Sequence, residues 1–301
     1  MKKFALLVGN GFTLDLVLPL GLHSSYPLQN FKSRDINYDT FLDKIPAVKN
    51  ELFGGKDNDF STIRKYISRN QNNLDKECQL RRFLSLSYSM FQEIVDSHEA
   101  HLMNWKWVHW LKENKEGLNC AISLNYDLNL ENALRLAGIS YKRTGTNELD
   151  GKVYVLKPHG SIDFDLASSV ASFGSVEQRW RLITKLNDGG SVHIVPQSER
   201  LWPRIEADIV PPSMHNFQRN LRWVNAMFTR YTMQVNELEA LVIVGSSYWN
   251  VDRPEIDFFL KKLNKQTTVF IIDPRPNGFL INRIKSLGLP LGEPTAEGLP
   301  W

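Results

Sequence analysis

Cysteine is scarce in this sequence: only Cys78 and Cys120 occur among its 301 residues. Two cysteines cannot form a disulfide framework, and neither belongs to a Cys-x-x-Cys pair that could hold zinc. His98 and His101 are one residue too close together for a His-Glu-x-x-His zinc motif. We therefore expect a protein of the reducing cytoplasm that binds no metal.

Long apolar runs are also absent, since no segment approaches the ~20 apolar residues that cross a bilayer. The first apolar run is interrupted at Gly9-Asn10-Gly11, too early for a signal peptide. Lysine and arginine number 36 against 33 acidic residues, and no basic stripe marks a nucleic-acid binder. The hydrophobic content of 42% suits a globular core, so we expect neither a membrane anchor nor a nucleic-acid partner.

What the sequence does contain is a series of short apolar runs that end in small or polar residues. The first, Phe4 to Val8, is typical of a strand buried on both faces of a parallel sheet, and we expect it to be the central strand. Further strands are predicted at residues 121–124, 153–156, 241–244 and 267–272, with weaker candidates at 193–195 and 209–210. Helices are predicted at 129–136 and 254–263. The pattern predicts an α/β fold, a Rossmann-like doubly wound parallel sheet with a helical insertion.

The predicted insertion covers residues 38–117. Its apolar side chains recur at helical spacing, notably Leu80, Phe83, Leu84, Tyr88, Phe91, Ile94 and Val95. We expect mostly helix between Asp59 and Asn114 and no strand that joins the main sheet. The nucleotide-binding core would then comprise residues 1–37 and 118–301. The insertion is a candidate assembly surface, or alternatively a lid or buttress, and residues 288–301 read as an extended tail.

The first candidate motif, Gly9-Asn10-Gly11-Phe12-Thr13, directly follows the first strand. Glycines there let the backbone approach a phosphate, and free amides at the next helix N-terminus point towards negative charge. The alternative is a tight turn without a ligand. A dehydrogenase fingerprint would have a third glycine where this chain has Leu14.

Asn125, Tyr126 and Asp127 follow the second strand, at the sheet edge where ligands bind in open α/β folds. Burying an amide and a carboxylate there is costly unless they find partners. The alternative is that they cap the following helix. After the third run, His159 lies between Pro158 and Gly160, where it is available as a proton acceptor near neutral pH.

Two more motifs follow the last predicted strands: Gly245-Ser246-Ser247, and Asp273 before a proline. Small residues at a strand end allow close approach of an adenosine or a phosphate, and a terminal carboxylate can accept hydrogen bonds from a ribose. Five motifs thus occupy the carboxyl ends of five strands. We predict that Gly9, Asn125, His159, Gly245 and Asp273 converge on one cleft.

In this order the five motifs resemble the sirtuin-like superfamily, in particular its NAD-consuming bacterial branch in anti-phage defence. The opening Gly9 to Phe12, with Gly21-Leu22 and Ser25-Tyr26, is also similar to the AbiH abortive-infection proteins. The chain departs from protein-deacylating sirtuins in having no four-cysteine zinc module. It also departs from the sirtuin pattern after Gly11, which leaves Phe12 and Asp15 without an assigned role.

The resemblance implies a role for each motif. Asn125 would position the nicotinamide riboside and a water, His159 would act as the base, and Asp127 would lie near the nicotinamide amide, with Tyr126 beside it. The other implied contacts are Gly9, Asn10, Gly11 and Thr13 for the pyrophosphate, and Gly245, Ser246, Ser247 and Asp273 for the adenosine half.

Our hypothesis from the sequence is therefore a NAD glycohydrolase that releases nicotinamide and ADP-ribose, with NAD as substrate. Nicotinamide leaves as a neutral group from a cationic ring, so the enzyme mainly orients the ribose and stabilises oxocarbenium-like charge. The alternatives are a NAD-dependent protein-modifying transferase, an oxidoreductase, and a non-catalytic NAD- or ADP-ribose-binding regulatory subunit. The resemblance implies an abortive-infection effector, controlled by homo-oligomerisation or by a regulatory partner protein such as an ATPase.

Overall fold

Strand β1 (Phe4–Val8) is the middle strand of a seven-stranded sheet in which all neighbouring strands are parallel. The computed structural model describes residues 2–23, 42–52, 60–71, 73–165, 192–201, 207–212 and 221–301. The other strands of this sheet are β2 (Leu118–Ser123), β3 (Tyr141–Arg143), β4 (Val153–Leu156), β7 (Ala240–Val244), β8 (Thr268–Ile272) and β9 (Leu291–Gly292). The order is β3-β4-β2-β1-β7-β8-β9, so β7, β8 and β9 follow outward from β1 in chain order on one side. On the other side, β3 forms the edge before β4 takes the place next to β2. The predicted α/β class and central strand are confirmed.

Helices cover both faces of the sheet. The first, α1 (Asn10–Val17), follows β1 directly. The described residues between it and β2 contain α2 (Pro46–Leu52), α3 (Phe60–Arg69), α4 (Leu74–Asp96), α5 (Glu99–Met103) and α6 (Lys106–Asn114). The remaining helices are α7 (Asn129–Leu136), α8 (Arg222–Gln234), α9 (Arg253–Lys262) and α10 (Gly278–Ser286). None of the helices in the part of the chain that the structure describes is long and apolar enough to cross a membrane.

The two faces of β1 belong to two separate hydrophobic clusters, because side chains alternate along a strand. Phe4, Leu6 and Val8 point into one cluster, whereas Ala5 and Leu7 point into the other. All five side chains are fully buried. This burial on both faces explains why β1 is a continuous apolar run without polar alternation.

The insertion is helical, as its spacing predicted, and within residues 42–52, 60–71 and 73–117 no strand joins the sheet. Its second half packs on the main sheet, where Phe91, Trp107 and Trp110 share a cluster with β1. Its first half forms a third cluster that also contains Tyr126 and Ile162 from the strand-end loops. The insertion therefore covers one sheet face and part of the carboxyl edge.

Phe12 and Asp15, the two residues without a role in the sequence argument, connect α1 to the insertion. The Phe12 ring lies 4.5 Å from the Trp105 ring, centroid to centroid, and 5.7 Å from the Trp107 ring. Trp105 Nε1 donates a hydrogen bond to Asp15 Oδ2 at 2.8 Å. Both residues hold helices together and do not line the cleft described below.

The weaker strand candidate at 193–195 is confirmed as β6 (His193–Ile194), which pairs with β5 (Phe164–Asp165) in a separate antiparallel sheet. Two other predictions need correction. Ile209 makes only an isolated bridge with Gly160. The supposed tail contains the edge strand β9, and Trp301 packs 5.3 Å from the Phe4 ring, because an apolar end of the chain can still be buried. Ser25 and Tyr26 lie outside the described residues.

Candidate functional site

A cleft of about 350 Å³ opens at the carboxyl ends of β1, β2, β4, β7 and β8. Ligand pockets have volumes of about 300–1,000 Å³, and in doubly wound sheets they lie at this edge, where the strand order reverses. The predicted site residues that line the cleft are Gly9, Asn10, Gly11, Asn125, Tyr126, Asp127, His159, Gly245, Ser246, Ser247 and Asp273. The predicted convergence is therefore confirmed, and Thr13 is the exception among the candidates.

One side of the cleft, which we call the glycine wall, consists of Gly9, Gly11 and Gly245. The Gly9 amide donates to the Val244 carbonyl at 2.9 Å, and the Gly11 amide donates to the Gly245 carbonyl at 2.8 Å. These amides are engaged within the protein, so the expectation that they are free for a pyrophosphate is wrong. A Cβ at Gly11 would lie 2.5 Å from Gly245 Cα, and Gly245 has a φ of +57°. The glycines are needed here for close backbone packing.

A second group of lining residues, which we call the polar wall, consists of Asn125, Asp127 and His159. The Asn125 amide group donates to the Gly9 carbonyl at 2.9 Å and to Thr13 Oγ1 at 3.1 Å. Thr13 Oγ1 in turn donates to Asp127 Oδ2 at 2.6 Å. Thr13 is thus buried behind the wall and does not face a pyrophosphate, since its hydroxyl connects the other two side chains.

Asp127 uses both carboxylate oxygens within the protein. Oδ2 accepts from Thr13, and Oδ1 accepts from the Asn129 amide at 3.1 Å, at the start of α7. Burial raises the pKa of Asp127, although the Lys157 charge and these hydrogen bonds oppose the shift. Lys157 Nζ, which is fully buried, lies 3.0 Å from Glu131 Oε1 and supports the wall from behind. The capping alternative for Asp127 is therefore realised, although Asp127 also lines the cleft.

His159 is the buried titratable side chain of the polar wall. Its Nδ1 lies 3.1 Å from the Leu124 carbonyl oxygen, and its Nε2 lies 3.6 Å from Glu255 Oε1. Burial disfavours the charged ring, but Glu255 and Asp252 outweigh it and raise the pKa of His159 to about 9. The ring is therefore protonated near neutral pH, which differs from the expected proton acceptor.

The adenosine-side candidates offer two groups for a ligand. Ser246 Oγ is buried and lacks a hydrogen-bond partner among the described residues. Asp273 Oδ1 accepts from the Arg275 amide at 2.7 Å, which leaves its second oxygen available. Ser247 contributes its carbonyl to Asn277 Nδ2 at 2.7 Å and anchors the start of α10. Small residues at the end of a strand, with polar atoms beside them that a ligand can reach, are typical of a polar-ligand site at this sheet edge.

Several residues that shape the cleft were not predicted from the sequence. Arg64 and Tyr88 of the insertion line it, and the Arg64 guanidinium lies 5.6 Å from the ring centroid of Trp249. Glu255, the partner of His159, lies in the first turn of α9. Its acidic type is ordinary for a helix N-terminus, so sequence alone gave no reason to place it against the histidine.

No family model matches the chain, and no curated protein matches it. Among solved structures, a Sir2 homologue in an ADP-ribose complex is 14% identical, with coverage of 95% of this chain and 89% of that one and a TM-score of 0.39. A structure described as a basis for the mechanism and regulation of Sir2 enzymes is also 14% identical, with coverage of 95% and 90% and a TM-score of 0.34. Similarity at this level assigns no family to the chain.

Proposed function

We propose that this protein is a NAD glycohydrolase that releases nicotinamide and ADP-ribose. The observation that carries the proposal is the convergence of loops from five parallel strands on one cleft. Asn125 and His159 line that cleft together with Gly245 and Ser246. A dinucleotide needs such a combination of a close backbone wall and directional polar groups.

Asn125 is proposed to bind the ribose next to the scissile bond. Both of its N–H donors are engaged by Gly9 and Thr13, so its carbonyl oxygen Oδ1 is the atom left for a ligand. That oxygen can accept a hydrogen bond from a ribose hydroxyl or from the attacking water. Because two partners fix the amide plane, the acceptor is oriented before the ligand arrives.

The reaction places modest demands on the protein. Nicotinamide departs as a neutral group, and water adds to the oxocarbenium-like carbon and loses a proton to give ADP-ribose. His159 is the proposed base, acting through Nε2, in the small fraction of molecules that is neutral below pH 9. The polar wall then supplies most of the positioning of the ribose and of the attacking water.

The other half of the dinucleotide is proposed to contact Ser246 Oγ and the free oxygen of Asp273. Since the amides of the glycine wall are occupied, the pyrophosphate charge requires a different partner. Arg64 brings a guanidinium to the cleft lining from the insertion, and we assign it this role. Under this proposal the part of the insertion that carries Arg64 and Tyr88 contributes to the cleft, and the insertion stays a candidate assembly surface or, alternatively, a lid or buttress.

One observation favours a second function, which is binding of NAD or ADP-ribose without turnover. His159 carries its proton near neutral pH, and a protonated imidazole binds an anion well but cannot accept another proton. A protein of this kind would serve as a regulatory subunit. The sirtuin-like resemblance extends either proposal to an abortive-infection role in anti-phage defence, with an oligomer or an ATPase partner as the control.

The test compares nicotinamide release and ADP-ribose binding in wild type, Asn125→Ala and His159→Ala. Each variant should lose about 10²-fold or more in turnover and keep near-normal ADP-ribose affinity, because the adenosine contacts remain. The matched controls are Asn236→Ala and His109→Ala, which change exposed residues outside the cleft. Full activity of His159→Ala would remove the histidine from the mechanism. A wild type that binds but never releases nicotinamide would favour the regulatory function.

A further inference from the structure

Glu255 is a buried carboxylate that faces the cleft histidine. It lies in the first turn of α9, is 2% exposed, and brings Oε1 to 3.6 Å from His159 Nε2. Its other oxygen, Oε2, has no hydrogen-bond partner in the part of the chain that the structure describes. A carboxylate buried in this way costs free energy unless a positive group compensates it. The His159 imidazole, 3.6 Å away, is the group that can supply this positive charge.

The hydrogen bond on the far side of the ring decides which nitrogen can titrate. His159 Nδ1 lies 3.1 Å from the Leu124 carbonyl oxygen, and a carbonyl only accepts hydrogen bonds. Nδ1 therefore keeps its proton in both charge states of the ring. Nε2 is the nitrogen that gains or loses a proton, and Nε2 is also the atom that Glu255 faces.

The surroundings of the ring add few other charges. Asp252, which caps α9 and lines the cleft, is the second acidic group that acts on His159. Lys157, two residues earlier in the loop, is occupied by Glu131 at 3.0 Å. Segment 207–212 packs against the same loop through the Val210 amide, which donates to the His159 carbonyl, and it brings Asp208 nearby. Together, Glu255 and Asp252 make the electrostatic environment of Nε2 negative.

We propose that Glu255 is the positioning residue of the site: its Oε1 faces His159 Nε2 at 3.6 Å and stabilises the charged ring in the cleft until a ligand enters. This inference rests on the proposed function, in which His159 faces the NAD ribose. It deepens that function, because the pair and not the histidine alone sets the pH range of hydrolysis. The site would enter each cycle as an imidazolium whose Nε2 faces the Glu255 carboxyl group.

The direct test is the titration of His159, followed by nuclear magnetic resonance on the full chain with isotope-labelled histidine. The His159 resonance is assigned by its absence from the spectrum of His159→Gln. Wild type should titrate at about 9, as the raised pKa of the buried ring requires. Glu255→Gln should move the midpoint to below about 6.5, because burial lowers the pKa of the ring and the main group that raises it is removed. Nicotinamide release is measured over the same pH range.

The matched control is Asp257→Asn on the same helix, because Asp257 bonds to Tyr248 and Arg283 and does not line the cleft. It should leave the His159 midpoint unchanged. A wild-type midpoint near 6.5, or equal shifts in Glu255→Gln and Asp257→Asn, would overturn the proposal, and the wild-type measurement holds even if a variant does not fold.

The activity measurement separates this proposal from the proposed function. In wild type, nicotinamide release should rise about tenfold per pH unit below about 9, and in Glu255→Gln the rise should end near the lowered midpoint. A shifted His159 midpoint in a protein that never hydrolyses NAD supports the role of Glu255 and overturns the glycohydrolase. Hydrolysis with the same pH profile in both proteins supports the glycohydrolase and overturns the role of Glu255.

Discussion

The glycine wall and the polar wall line the same cleft and touch where Asn125 donates to the Gly9 carbonyl. Different parts of the chain make the hydrogen bonds in each wall. In the glycine wall, the amides of Gly9 and Gly11 bond to carbonyls of the β7 end, so backbone meets backbone. In the polar wall, side chains bond to one another, and Asn125 Oδ1 is left for a ligand. A Gly-x-Gly motif after a strand can therefore serve close packing between strand ends. The side-chain groups that a ligand can reach then belong to another part of the cleft, here the polar wall.

The occupied amides of the glycine wall also affect where a phosphate could bind. A helix N-terminus attracts a phosphate when its first amides are free. Here the Gly11 amide is occupied by the Gly245 carbonyl at 2.8 Å. The glycine wall can therefore fit a dinucleotide by its shape alone. The positive charge that a pyrophosphate requires must come from another residue, such as Arg64.

The largest expected effect comes from adding a methyl group to the glycine wall. In Gly245→Ala, the new Cβ would collide with the Gly11 backbone, and the residue would keep a φ of +57°. Overpacking costs about 1–3 kcal/mol and the left-handed backbone about 1–2 kcal/mol, so we expect a loss of up to about 5 kcal/mol in the free energy of unfolding. Urea denaturation measures it. Gly278→Ala is the control, since a Cβ there meets nothing within 4 Å, and equal effects in both variants would contradict the packing role.

A smaller effect is expected from pH, and it concerns only the polar wall. The folded pKa of His159 is raised to about 9, above the unfolded value of about 6.5. The stabilisation is therefore fully present below pH 6.5 and is lost as the pH rises through 9, with a size of about 3 kcal/mol. The measurement is the difference in unfolding free energy between wild type and His159→Gln from pH 6 to pH 9.5. A difference that stays constant with pH would show that the ring has no raised pKa.

A still smaller effect is expected at Thr13, which joins two members of the polar wall. Thr13→Val removes the hydroxyl that joins Asn125 to Asp127 and leaves two polar groups unpaired, at a cost of about 1–3 kcal/mol. Because Asn125 loses one of its two anchors, nicotinamide release should fall more than ADP-ribose affinity. Thr232→Val, at an exposed position on α8, is the control. Normal kinetics in Thr13→Val would contradict this prediction, because the Thr13 hydroxyl would then not be needed to position Asn125.

The amino-acid sequence was enough to predict the five inner strands of the sheet and the location of the cleft, but not the edge strands β3 and β9. Continuous apolar runs such as Phe4–Val8 specify strands buried on both faces, and the polar residues that end them must gather at one edge of a parallel sheet. Helical spacing likewise predicted the insertion. These features are readable because they depend on local periodicity and on a topological rule, neither of which needs distances between remote residues.

Only the tertiary structure decided what the individual side chains do. His159 and Glu255 are 96 positions apart, and their 3.6 Å approach follows from how α9 packs beside the β4 loop. Thr13 turned from a predicted ligand contact into a link between Asn125 and Asp127, 112 and 114 residues away. Such pairs depend on packing across the whole sheet, and a pKa or a free hydrogen-bonding atom is set by the nearest partner in space.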